Sequence, residues 1–274
     1  MTLSAKIAAA LSENVLDDAI EQAKAHVKAA PTDKDGRHIL IDLLILAGDY
    51  AKADAQCNLA TTFSPEDMMG FAMLRNQLRA MAARSAWFEE AAAPDFPNGP
   101  TALDQAAMKL AIAHRAHSSD TATALEALED IRGEQPMNWN GRPVSDFRDL
   151  DDRIPHALEV IMTGGAYLWI DFSRIAALRV EPIARPRDLA FRRAELELAD
   201  GASAPVLLPA ICHGTKGSKL LLGRETEWVD EPTGITTGRG QKCFLAGDDL
   251  VSFHDLASLE TASGSGDTRR AAHG

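Results

Sequence analysis

Residues 11–33, LSENVLDDAIEQAKAHVKAAPTD, and residues 44–67, LILAGDYAKADAQCNLATTFSPED, decide the fold of the first half of the chain. Ala19 and Ala53 lie 34 positions apart, as do Pro31 and Pro65. Each stretch reads as a helix, a tight turn and a second helix with small residues where it packs. In the second stretch the turn is Gly48-Asp49-Tyr50, and Pro65 stops the helix that follows, because proline lacks the amide a helix interior requires.

A helix–turn–helix period of about 34 residues is that of the tetratricopeptide repeat. A degenerate third copy is read over 109–131, with Ser119-Asp120-Thr121-Ala122 in the place of Gly48-Asp49-Tyr50-Ala51. Between the copies, residues 67–92 read as one long helix. Its apolar stripe is expected at Met69, Ala72, Met73, Asn76, Leu78 and Ala80. Pro94, Pro97, Gly99 and Pro100 then enforce a loop, and Thr101 is placed to cap the next helix with Asp104 in its first turn. Stacked hairpins of this kind leave a curved surface that receives peptides or helices. The spacing does not show which side chains line it, so the partner-binding groove is left unassigned.

Composition narrows the function classes. The 274 residues are 46% hydrophobic and 25% charged, the balance of a globular chain. A formal net charge of −12 disfavours nucleic acid and anionic lipid as partners. The apolar run 39–46 is interrupted by Asp42 and falls far short of the roughly 20 residues a bilayer span needs. The N-terminal MTLSAKIAAALSENVLDDA has one lysine and no cleavage box, so it reads as an amphipathic helix and the protein as cytoplasmic. Cys57, Cys212 and Cys243 are odd in number and widely spaced, which fits reduced thiols.

The texture changes after the loop at 135–143. Residues 1–135 carry 12 Lys/Arg and 20 Asp/Glu; residues 136–274 carry 16 and 20, and 13 of those 16 bases are arginine. Residues 156–162, HALEVIM, are expected to form a helix opened by Pro155 and ended by Gly164-Gly165. Short strands are expected at 167–172, 177–180, 194–198, 206–208, 219–222, 226–229 and 242–245. The alternation at 194–198 implies one wet face, and Asp200-Gly201 signals a hairpin. The expected fold is thus α+β with two domains: a tetratricopeptide-like α-superhelix over 1–135 and a small antiparallel-sheet domain over 136–258. A disordered tail is expected over 259–274.

The densest charge cluster is residues 146–153, DFRDLDDR. Asp146, Asp149, Asp151 and Asp152 could serve acid–base chemistry or a divalent metal, which gives the alternative of an enzyme or a small-ligand-binding domain. Arg148 and Arg153 sit among the acids and no histidine stands at ligand spacing, so the six are read as an interdomain ion-pair network instead. Cys212, His213, Cys243 and His254 match no zinc spacing. His213-Gly214-Thr215-Lys216-Gly217-Ser218 lacks the phosphate-loop register, Gly234 to Gly240 lacks the dinucleotide fingerprint, and Ser173, Ser218, His254 and Asp255 carry no nucleophile elbow. No catalytic, cofactor or metal site is therefore assigned. The six arginines Arg174, Arg179, Arg185, Arg187, Arg192 and Arg193 are read as a solvated sheet face or a dock for the acidic helical half, rather than a nucleic-acid face.

The second half resembles a known family. GRPVSDFRDLDDRIPHALEVIMTGGAYLWIDFSRIAAL, EPIARPRDLAFRRAELELADG, VLLPAI and TEW, spanning 141–230, are similar to the ImpE/TagJ family of type VI secretion accessory proteins. The match is carried by Phe147-Arg148-Asp149-Leu150-Asp151-Asp152-Arg153, Tyr167-Leu168-Trp169 and Pro186-Arg187-Asp188-Leu189. It departs at Cys212-His213, where a Tyr-Pro-like pair is expected. The resemblance implies a non-enzymatic cytoplasmic adaptor that binds the N-terminal helix of the small, TssB-like sheath subunit. It also implies an indirect link to a ClpV-like ATPase in sheath recycling.

Overall fold

In the computed structural model, which describes residues 2–63 and 65–262, seven helices lead and strands follow. α1 (Leu3–Ser12) and α2 (Leu16–Ala29) form one hairpin, and α3 (Lys34–Leu46) and α4 (Tyr50–Phe63) the next. α5 (Met68–Glu90) packs on α4, and α6 (Ala102–Arg115) pairs with α7 (Thr121–Arg132). The small residues at the repeat positions explain the close stacking: Ala19, Ala23, Ala53 and Cys57 are fully buried. Capping follows the sequence. Asp33 accepts from the backbone N–H groups of Asp35 and Gly36 at the start of α3. Thr101 and Asp104 form a reciprocal capping box at the start of α6, with bonds of 3.0 and 2.7 Å.

α5 corrects the expected stripe. Its buried face is Phe71, Leu74, Leu78, Met81 and Trp87, at helical spacing, whereas Met69 is 78% and Met73 47% exposed. The bulkier Phe71 and Leu74 take the core together with Leu78, Ala80 and Met81, while Met69 and Met73 stay outside.

The strands are β1 (Met137–Trp139), β2 (Arg142–Val144), β3 (Phe147–Asp149), β4 (Ala157–Met162), β5 (Tyr167–Asp171), β6 (Ile175–Val180) and β7 (Phe191–Leu198). They continue with β8 (Ser203–Pro209), β9 (Thr226–Asp230), β10 (Thr236–Gly240), β11 (Cys243–Ala246), β12 (Asp249–Ser252) and β13 (Ser258–Thr261). Eight form one antiparallel sheet in the order β2-β1-β13-β6-β7-β8-β4-β5; β12-β11-β3 and β10-β9 make two smaller sheets. α8 (Ser218–Leu221) is a single helical turn where a strand over 219–222 was expected.

Residues 156–162 are also not a helix: β4 runs through them between β5 and β8. The period-two geometry of a strand explains the apolar run. Ala157 and Ile161, with Tyr167 and Trp169 of β5, point at the helices. Leu158, Val160 and Ile170 point into a second core. A strand buried on both faces has no polar side to reveal its period. Gly164-Gly165 serves as the β4–β5 turn. Gly165 has φ +98°, and a Cβ there would lie 3.0 Å from the Asn76 carbonyl of α5. β7 does alternate, with Ala194 and Leu196 buried and Glu195 and Glu197 exposed. β13 takes residues 259–261 out of the expected tail, because Leu259 is fully buried between β1 and β6. Residues 263–274 of that tail lie outside the described residues.

Three layers result: helices, the large sheet and the small β12-β11-β3 sheet. The helical core is continuous with Ala157, Ile161, Trp169 and Phe191 of the sheet and with Ile154 and Ile211 of the loops beside it. Trp169 stands edge-on to Trp87 of α5 at 4.8 Å and to Phe96 at 6.0 Å. Behind the sheet, Phe147, Phe172, Phe244 and Phe253 form an aromatic core.

Candidate functional site

The cluster at 146–153 is distributed by β3 and the turn after it. Asp146 accepts both terminal nitrogens of Arg132 from α7, at 2.8 and 3.0 Å, and the Gln135 amide at 2.9 Å. Arg148 donates to Glu129 of α7 at 2.9 Å and to Asp152 at 3.1 Å, and Asp152 accepts the Thr236 amide of β10 at 2.7 Å. Asp149 pairs with Lys242. Asp151 accepts Arg153 Nε at 2.7 Å and the Gly238 amide at 3.1 Å. Asp146, Arg148, Asp149, Asp151, Asp152 and Arg153 thus all have charged partners, two of them reaching α7.

Asp149 and its neighbours join a deeper network that carries no local sequence signal. Arg84 of α5 grips Glu159 of β4 through two bonds, at 2.7 and 2.9 Å. Lys242 reaches Glu159 at 3.2 Å, and Tyr167 donates its hydroxyl to Glu159 at 2.7 Å while accepting the Trp169 indole N–H at 2.9 Å. Burial would raise the Glu159 carboxyl, but Arg84 and Lys242 outweigh it and hold the group far below the usual carboxylate range. Three cations (Arg84, Arg153, Lys242) face three carboxylates (Glu159, Asp149, Asp151). The void beside them is about 10 Å³, room for about one water and no substrate.

The remaining sequence candidates separate. All three cysteines are buried, with burial pushing Cys57 up to about 12. No group of three or more metal-ligating side chains gathers among the described residues. The loop at 213–218 is pinned, since Thr215 accepts the Gly240 amide at 2.8 Å and donates to the Cys212 carbonyl at 2.7 Å. No helix among the described residues is long and apolar enough to cross a membrane. The arginine stretch turns largely inward. Arg185 holds Asp42 of α3 with bonds of 2.7 and 2.8 Å. Arg187 approaches the same carboxylate at 3.7 Å, and Arg192 donates to the carbonyls of Glu181 and His254.

This docking covers part of the helical inner wall. The turn Pro186–Leu189 packs on α3, while β4 and β5 pack on α5. A groove of about 570 Å³ stays open between α1, α3 and residues 184–186. Ile7, Ala8 and Leu11 supply one wall and His38, Ile39 and Asp42 another. Its lining mixes apolar residues with Ser4, Asp35, His38, Asp42 and Arg185, and Asp42 is already neutralised by Arg185. The spacing of α1 and α3 was legible in the sequence; the third wall, contributed from 140 residues away, was not.

The molecule is thus a helical-hairpin stack locked to a sheet unit, with the groove beside α1 and α3 open and the acids of the central cluster paired. Residues 141–260 match the model of the ImpE protein family. The chain is 28% identical over 264 residues to the type VI secretion system accessory component TagJ of Pseudomonas aeruginosa, covering 89% of this chain and 87% of that protein. It is also similar to the crystal structure of protein VPA1032 from Vibrio parahaemolyticus. There the TM-score is 0.87 at 26% identity, over 94% of this chain and 98% of that one. The resemblance to the ImpE/TagJ family is borne out.

Proposed function

We propose that this protein is a non-enzymatic cytoplasmic adaptor of a type VI secretion system, and that the groove between α1 and α3 receives the N-terminal helix of the small, TssB-like sheath subunit. The open groove carries this reading: it runs about two helical turns along α1, from Ser4 to Leu11, and Ile7, Ala8, Leu11 and Ile39 give it apolar contacts. An amphipathic helix would lay its i, i+3, i+4 and i+7 side chains there. In this reading residues 1–135 form the receiving unit, and residues 136–258 hold its geometry through the buried network. The ClpV-like ATPase is engaged only indirectly, through the sheath helix. The likeness to TagJ supports the system; the small size of the void at Glu159, about 10 Å³, speaks against the rival enzyme reading.

Calorimetric titration with a synthetic peptide of the sheath subunit's N-terminal helix tests the proposal. A 1:1 complex with a dissociation constant of about 10 μM or tighter is expected. No heat and no complex at several hundred micromolar would overturn it.

A further inference from the structure

A second cavity lies on the other side of the molecule's helix–sheet junction, between α5, α6 and the β9–β10 hairpin. Its volume is about 230 Å³. A cavity of about 150 Å³ suffices for benzene, so a ring with one substituent fits. The walls are apolar and largely buried: Trp87, Leu110 and Ile235 are each under 5% exposed, and Phe88 adds an aromatic edge. The remaining polar lining is basic throughout: His114, Arg115, His117, Arg153 and His213, with no carboxylate among the lining residues. In a chain of net charge −12 that is an unusual concentration.

Arg115 is the group without a counter-ion. Its one hydrogen bond runs from Nη2 to the Trp87 carbonyl at 2.8 Å, and its buried Nε has no partner. It makes no salt bridge among the described residues. Arg153, by contrast, is committed to Asp151. The nearby acids are occupied or outside: Glu231 bonds Thr237 and Arg239, and Glu89, well exposed, stands 3.7 Å from His213 Nε2. His114 turns Nδ1 to Thr233 at 2.7 Å, leaving Nε2 free, and His213 stacks on Phe88 at 4.4 Å. A buried donor without an acceptor is costly, and an entering anion would satisfy it.

We infer that this cavity binds a small carboxylate with a flat apolar body, its carboxylate seated on Arg115 and its body against Trp87 and Phe88. A monoanion matches the charge. Burial lowers both His114 and His213, the latter to about 4, so near neutral pH these two stand uncharged, and Arg115 lines the cavity with no carboxylate partner among the described residues. Apolar walls with a few convergent polar groups are the usual construction of small-molecule sites.

Benzoate and benzamide, equal in shape and different in charge, are the probes. Benzoate is expected to bind at least about tenfold more tightly than benzamide at matched ionic strength, and Arg115→Gln to erase the difference. In the unaltered protein, ¹⁵N-resolved NMR should show the Trp87 indole and His114 ring resonances moving with benzoate and not with benzamide, a readout that does not depend on the variant folding. Equal binding of the two probes overturns the inference. So does an Arg115→Gln protein that folds and keeps full benzoate affinity, or a set of shifts confined to other parts of the molecule.

Discussion

Replacing Glu159 with alanine is expected to lower the unfolding free energy by about 3–5 kcal/mol, the largest single-residue loss in this protein. The reason is what the substitution leaves behind. Arg84 would lose both of its carboxylate bonds, Lys242 one of two anionic partners and the Tyr167 hydroxyl its acceptor, all inside a region closed to water. The double variant Glu159→Ala/Arg84→Met should recover a large part of that loss, because it removes the stranded charge together with its partner. Urea unfolding at neutral pH measures both. The pH dependence has a definite sign. The folded-state carboxyl of Glu159 is held far below its unfolded value of about 4.3, so its contribution is fully present above that value and is lost as the pH falls toward the folded-state value. The wild-type protein should therefore lose stability more steeply than Glu159→Ala as the pH is lowered below about 4.

Ala8→Trp is expected to weaken binding of the sheath-helix peptide at least about tenfold while leaving the fold intact. Ala8 is exposed and lines the groove, between the buried Ile7 and Ala10 that anchor α1 to its neighbours. An indole there occupies the space a ligand side chain would take, and displaces nothing from the core. Helix propensity changes by only a few tenths of a kcal/mol, so unfolding by heat should hardly shift. The same change on an unrelated exposed surface, such as Ala51→Trp at the start of α4, should leave the titration unaltered.

The helical hairpins were readable because their packing rests on local periodicity. Small residues recur where helices touch, and Pro65, Thr101 and Asp104 mark ends with side chains whose chemistry acts within three residues. β4 was not readable, because HALEVIM is buried on both faces and its apolar spacing serves a helix equally well. Met69 and Met73 misled for a related reason: spacing identifies a face, but only the competition with Phe71 and Leu74 decides which face is buried. The pairing inside 146–153 could be anticipated from alternating charge. Its extension to Arg84, Glu159 and Lys242 could not, since Arg84 and Glu159 meet across 75 residues and neither sits in a motif. The groove has the same origin: two walls come from the first helices of successive hairpins, and the third arrives from the sheet unit through Arg185 and Asp42.

Hydrogen–deuterium exchange of the full chain, with and without the sheath-helix peptide, tests the placement of the partner most directly. α1 lies at the end of the helical stack, where local opening is easiest, so it is the segment whose amides should respond most to a bound helix. Slowed exchange concentrated in Leu3–Ser12 and Lys34–Leu46 is the predicted result. Saturating peptide that leaves those two helices unchanged, or protects instead the exposed methionines at the start of α5, would contradict it.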